Sequence, residues 1–426
     1  MSHDETTTAH DAYLSRTYFP ELDGLRAISV LLVISIHMYD ANERWWWLAG
    51  YRGVTIFFVL SGYLITMLAL REEARYGRLS LAAFYVRRTF RILPLYYVTL
   101  ALYCLLILGL GVSAHLRGPL ADALPYYLLY FQEVTAGCRW LGLTQVDLVF
   151  RQSWSLGVEE KFYLLWPLLA FVCWRGAGRR RLLGTAALMV GFAAAPTLLG
   201  PFGPLPRVVG RILFCYASLL TGCLLALLLH HRAAFHWLRQ LRGATLPAAL
   251  LLLAAHFATP WVAHPSLADG LNVLYTLAVG LFLATILVGD GPAQRLLRCW
   301  PLVRLGRLSY GIYLLHMLAM GLLYRLLPAS SWHGLASILP FCLTALLSTA
   351  LAWVMHRTVE SFGINLGRRW SRRILERAAT RALRPALPSP CRNENQAIGL
   401  TSPLSKLASS AITRQSHVHH QEALAE

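Results

Sequence analysis

The chain has 426 residues, 56% of them hydrophobic and only 14% charged, with a mean hydropathy of +0.49. A water-soluble domain carries about 25% charged residues, so this composition excludes one as the main body of the protein. The formal charge of +18 does not describe a nucleic-acid surface either, because the arginines fall between apolar runs instead of on one domain.

The first 18 residues are polar, and no cleavable signal peptide follows, because the first apolar run carries an arginine and a histidine. Apolar spans are expected at roughly 25–41, 54–70, 92–110, 153–174, 182–200, 211–229, 245–263, 271–289, 308–327 and 334–356. Each approaches the roughly 20 residues that cross ~30 Å of hydrocarbon. The segment 120–131 is short and contains Pro125, and is expected to be interfacial or re-entrant.

Charge sets the direction. The connections 71–91, 175–181, 230–243 and 290–307 are rich in arginine, and those between them are poorer for their length. Positive loops stay in the cytoplasm, so the expectation is an all-α integral membrane protein of about ten transmembrane helices with both termini cytoplasmic. Trp45, Trp46 and Trp47 would form an aromatic belt just beyond the first span. After about Arg368 the sequence becomes polar, and 363–426 is expected to be a largely disordered cytoplasmic tail. The eight cysteines form no CxxC pair and no ligand spacing, so neither a disulfide framework nor a metal site is expected.

Ionisable residues inside spans are expensive and point to function. Arg26 and His37 share the first span, eleven residues apart, within ~20° of one helix face and ~16 Å along it. Asp23, just ahead, suits an N-cap. The bland alternative is an interface arginine and a satisfied packing histidine. In the fourth span Glu159 and Glu160 are adjacent and point ~100° apart, so one would face His37 while the other pairs with Lys161 or a buried arginine; a solvated helix end is the alternative. Ser61-Gly62 in the second span reads first as close packing. Tyr310, Tyr313 and His316 line one side of the ninth span, as a lining or as a hydrogen-bonded core. Arg87, Arg88 and Arg91 are either a positive-inside anchor or a site for a phosphorylated ligand.

Five segments in order resemble the acyltransferase 3 family of bacterial membrane acyltransferases: FPELDGLRAISVLLVISIH (19–37), GVTIFFVLSGYLI (53–65), RRTFRILPLY (87–96), SWSLGVEEKFYLLWP (153–167) and LGRLSYGIYLLH (305–316). The resemblance covers 19–362 and implies a membrane-embedded acyltransferase domain there. Members typically O-acetylate lipopolysaccharide, exopolysaccharide, peptidoglycan or lipochitooligosaccharide, and a subset acylates macrolides. The family's Arg-ten-residues-His pattern falls on Arg26 and His37, its arginine motif on Arg87, Arg88 and Arg91, and its Trp-Ser-Leu…Glu motif on Trp154, Ser155 and Glu159 with Glu160. Lys161 departs from the usual Gln, and Glu360-Ser361-Phe362 from the usual Glu-Arg/Lys-Pro. Residues 363–426 are short and polar, so the esterase-like domain fused to some relatives is not expected in them.

The resemblance implies an acyl-CoA donor, with acetyl-CoA first, and no bound cofactor. Its phosphates would meet Arg26 and the Arg87/Arg88/Arg91 cluster, His37 would act as general base, and Glu159 or Glu160 would orient it. Ser61, Trp154, Ser155, Tyr310, Tyr313 and His316 would line the substrate path. The acceptor would be a glycan or glycolipid outside the bacterial inner membrane. A macrolide acyltransferase, a proton-coupled transporter using Arg26, His37 and Glu159, and a non-catalytic scaffold are the rival readings.

Overall fold

The computed structural model describes residues 3–38, 48–135, 149–176, 178–258, 261–262 and 264–383. The three tryptophans expected to form an aromatic belt, and most of the tail, lie outside these residues. Among the described residues 89% are helical and none is in a strand. The chain runs α1 (His3–Ser15), α2 (Pro20–His37), α3 (Arg52–Tyr76), α4 (Leu81–Cys104), α5 (Arg117–Leu128), α6 (Trp154–Leu168), α7 (Gly178–Leu199) and α8 (Pro204–His230). It continues with α9 (Arg232–Arg239), α10 (Thr245–Ala258), α11 (Pro265–Val288), α12 (Pro292–Leu297), α13 (Trp300–Arg307), α14 (Ser309–Leu326), α15 (Ile338–Met355) and α16 (Ser361–Leu383).

Every expected span coincides with a helix, but fewer than ten of these helices are long and apolar enough to cross a membrane. Six pass on length and composition, and a seventh does if 232–243 and 245–258, bent by 83°, form one broken span. The shortfall has a chemical cause. Helix α2 carries Glu21, Asp23 and Arg26; α6 carries Glu159, Glu160 and Lys161; α14 carries Tyr310, Tyr313, His316 and Arg325. These polar groups lower the hydropathy of the very helices that build the site. Helix α5 has 12 residues, a rise of ~18 Å that cannot cross ~30 Å.

The apolar windows of α7 and of the long helix 334–378 are only 17% and 22% buried within the protein. Leu183, Val190 and Leu198 of α7 and Leu339 and Leu346 of α15 are largely exposed. Leucine-covered faces of this extent belong against lipid, and the chain is a multi-pass membrane protein.

Close helix approach fixes the interior. A Cβ on Gly62 would sit 1.8 Å from the Leu219 carbonyl oxygen, and one on Gly222 1.9 Å from that of Val59. Glycine at both positions lets α3 and α8 touch backbone to backbone. Likewise a Cβ on Gly306 would sit 1.9 Å from the Asp23 oxygen, so α13 lies directly on the first turn of α2. That contact delivers Arg307 beside Arg26. Asp23 is not an N-cap as expected: Phe19 holds that position and Asp23 lies inside the helix, because Pro20 starts the helix three residues earlier.

Beyond Arg368 the chain continues as helix to Leu383, where a disordered extension was expected. Its contact face consists of Gly363, Gly367 and Ser371, small residues every fourth position. A Cβ on Gly363 would lie 2.4 Å from the Phe90 oxygen of α4. A face of this kind has no apolar period to read, although it packs tightly.

Candidate active site

A cavity, part of it open to the exterior, lies between α2, α3, α4, α6 and α14. One end is cationic. Arg26 from α2, Arg88 and Arg91 from α4, and Arg307 at the end of α13 line it, against two carboxylates, Glu159 and Glu360. Guanidinium groups in such excess suit an anion with several oxygens.

The guanidinium of Arg26 is held only loosely, at 3.7 Å from Asp23 Oδ1. Asp23 is shared. It lies 3.7 Å from Arg307 Nε, and its Oδ2 accepts the Tyr18 hydroxyl proton at 2.6 Å. Burial, then the hydrogen bond to Asp23, pushes the Tyr18 hydroxyl up to about 12. It therefore stays protonated and accepts from Arg307 Nη2 at 2.9 Å. This arrangement holds Arg307 at the cavity mouth.

Glu159 lines the same cavity, together with Ser61 and Tyr163 and in the field of Arg26 and Arg88. Tyr310 also lines the cavity and donates to the Ile92 carbonyl at 2.7 Å. The far end is closed by Phe57, Ser155 and Tyr313. Tyr313 donates to the Gln152 carbonyl at 2.6 Å, so the 2.5 Å contact with Ser155 Oγ is donated by the serine. Phe57 meets the Tyr313 ring edge-on at 6.2 Å.

The histidines lie just beyond this closure. The His316 ring is 6.0 Å from that of Tyr313 and 5.0 Å from that of His37. His37 Nδ1 is 2.8 Å from the Val33 carbonyl oxygen, and His316 Nδ1 is 2.7 Å from that of Tyr313. A carbonyl oxygen only accepts, so both Nδ1 atoms carry the proton and both Nε2 atoms hold a lone pair.

Arg26, Arg88, Arg91, Glu159, Ser61, Ser155, Tyr310 and Tyr313 thus line one cavity. His37 and His316 form a separate pair next to them. Four expected placements differ. Arg87 turns away to Glu72 at 2.5 Å and Ser371 at 2.7 Å. Arg91 sits angularly between Arg87 and Arg88, ~40° from one and ~60° from the other, so Arg87 points to the outer side of the row. Glu160 lies outside the cavity, and Lys161 pairs instead with Glu133 at 2.6 Å. Neither Glu159 nor Glu160 orients His37; its partners among the described residues are Val33 and His316. Trp154 packs edge-on against Phe58 at 6.4 Å and does not line the cavity.

Sequence reading missed Arg307, Glu360, Tyr163 and Phe57. Arg307 looked like one more loop arginine, although it belongs to the 305–316 segment. Glu360 closes a π turn, His356–Glu360, and its carboxylate accepts from His356 Nδ1 at 2.9 Å. A π turn shifts the helix register, which no periodicity of the sequence announces.

Residues 19–357 match the family described as "Acyltransferase domain". The chain belongs to this acyltransferase family. It is 30% identical over 312 residues to the peptidoglycan O-acetyltransferase OatA of Listeria monocytogenes, covering 71% of this chain and 49% of that protein. It is 30% identical over 354 residues to YrhL of Bacillus subtilis, whose name proposes the same activity, covering 78% and 54%. A Staphylococcus aureus protein with a proposed O-acetyltransferase name is 32% identical over 165 residues, 38% of this chain and 26% of that protein. The chain thus spans about half the length of the first two relatives. No solved structure matches it. The family match takes in every cavity-lining residue named above except Glu360.

Proposed function

We propose that the protein is a membrane O-acyltransferase that moves an acetyl group from acetyl-CoA to a hydroxyl of an extracytoplasmic glycan, with peptidoglycan the first acceptor to test. The observation carrying this reading is the succession along one path: four arginines, a cavity-lining carboxylate, a hydroxyl layer, and a histidine with a bare ring nitrogen.

The donor phosphates bind at Arg26, Arg88, Arg91 and Arg307, at the cytoplasmic end. The pantetheine arm follows the cavity and covers the ~16 Å of α2 between Arg26 and His37. It passes the Ser155–Tyr313 layer, whose side chains rotate to admit a small acyl group. His37 Nε2 then takes the acceptor hydroxyl proton as the oxygen forms its bond to the acyl carbon. The carbon–sulfur bond breaks, and the departing thiolate receives that proton from His37. CoA is a substrate here, and no resident cofactor takes part.

This chemistry needs cytoplasmic termini, ten crossings of the bacterial plasma membrane, and the histidine end facing outward. The charge bias of the connections supports that direction. The acetyl group and glycan acceptor are supported by what the relatives' names say of those proteins. The test is mass spectrometry of cell-wall glycans from a strain expressing the chain and from one lacking it. Acetyl groups that depend on the chain are expected; identical glycans would remove this acceptor class.

A further inference from the structure

A general base in an apolar interior needs its bare nitrogen aimed at the substrate and its opposite side held fixed. A carboxylate is the usual holder, and none touches His37 among the described residues. Its polar contacts there are the Val33 carbonyl, one turn back on its own helix, and His316 Nε2 at 3.4 Å from its Nδ1. The charged group acting on both rings is Arg151, a cation.

His316 is fully buried, and its own Nδ1–H is committed to the Tyr313 carbonyl at 2.7 Å. That bond leaves a lone pair, not an N–H, facing His37 Nδ1. The His37 Nδ1–H therefore has two acceptors, one on α2 and one on α14. Val33 alone would restrain the proton but let the ring swing with its own helix. The contact from α14 ties the ring to the helix that also carries Tyr310 and Tyr313.

We propose that His316 is the positioning residue of His37, a neutral imidazole taking the place of the carboxylate in a catalytic triad. This rests on the acyl-transfer reading above. When His37 Nε2 gains the acceptor's proton, the charge spreads over its ring and the Nδ1–H bonds to Val33 and His316 strengthen. His316 neither gains nor loses a proton. The base returns its proton to the thiolate from Nε2, so the pair ends the cycle as it began.

A ring that merely fills space makes the opposite demand on substitutions. His316→Phe keeps a flat ring and removes the lone pair. His316→Gln loses the ring but can present its amide oxygen near the Nε2 position. The test is steady-state acetyl transfer by the full chain in lipid nanodiscs, with both variants and His37→Ala in parallel. His316→Phe is expected to lower kcat at least tenfold, a part of the roughly 10²–10⁴ that the general base itself contributes. KM for acetyl-CoA should not move, and His316→Gln should recover most of kcat. Phe tolerated with Gln inactive, equal loss in both, or loss in neither would each overturn the positioning role.

A second measurement needs no folded His316 variant. Nitrogen-15 spectra of histidine-labelled protein, with His37 assigned through His37→Gln, should show both rings protonated at Nδ1 and bare at Nε2. A proton on His316 Nε2 would overturn the proposal. Unchanged kcat in His37→Ala would instead remove His37 as the base, and with it the acyl-transfer reading, whatever the His316 variants do.

Discussion

Replacing His37 by glutamine separates a base from a packing side chain. Glutamine reaches a similar distance and still hydrogen-bonds, but it cannot accept a proton usefully near pH 7. General-base catalysis contributes about 10²–10⁴ in rate, which at 1.36 kcal/mol per factor of ten is about 2.7–5.4 kcal/mol of barrier. The structure predicts that this loss falls on kcat alone. Arg26 is ~16 Å away along the helix, and the Ser155–Tyr313 layer stands between the histidines and the cationic end. Folding should survive, because Val30, Val33 and Ile34 bury the neighbouring face of α2. The assay is acetyl transfer by purified protein at saturating acetyl-CoA, with membrane abundance measured on the same preparations. His37→Gln and His37→Ala should both fall to about a hundredth of wild type or below. Retention of more than about a tenth in His37→Gln would lie outside that range and move the base to another residue, with Glu159, Glu160 and His316 as candidates.

Arg26→Ala should raise KM for acetyl-CoA about tenfold to a hundredfold, since a hydrogen bond to a charged group contributes about 1.5–3 kcal/mol. Arg26→Lys should recover only part, because the planar fork is lost; an unchanged KM would make Arg26 an interface anchor. Gly222→Leu should destabilise the folded chain by more than the roughly 1–3 kcal/mol of ordinary overpacking, because its Cβ would meet the Val59 backbone oxygen; thermal unfolding in detergent measures this, and a normal transition would disprove the close approach. In a cysteine-free background, a cysteine replacing Arg139, which lies outside the described residues, should react with an impermeant thiol reagent from outside the cell. One replacing Arg179 should not, and the reverse pattern would invert the topology.

Much of the fold was legible because lipid makes a simple demand. A span must be apolar for its whole length, and hydropathy therefore located helices at all ten expected intervals. It was less informative about which of them cross, because Glu21, Asp23 and Arg26 in α2 and Glu159, Glu160 and Lys161 in α6 disguise a possible span as a polar helix. The end of the chain was misread for a different reason. Gly363, Gly367 and Ser371 pack α16 against α4 through backbone proximity, and small residues carry no hydrophobic signal.

The site divides along the same line. What one helix determines by its own rotation was readable: Arg26, about three turns below His37, and the row Tyr310, Tyr313 and His316. What depends on the neighbour was not. The angle between Glu159 and Glu160 shows that they part, but not that Glu159 lines the arginine-bearing cavity while no carboxylate among the described residues touches His37. The separation has a chemical consequence. Glu159 stands with Ser61, Tyr163, Arg26 and Arg88 at the cationic end, where the donor is proposed to bind. Among the described residues His37 is paired to a neutral ring, and no carboxylate touches the bare Nε2 of the proposed base. Two carboxylates set one residue apart in the sequence thus leave the base to a histidine 279 residues away from it in the chain.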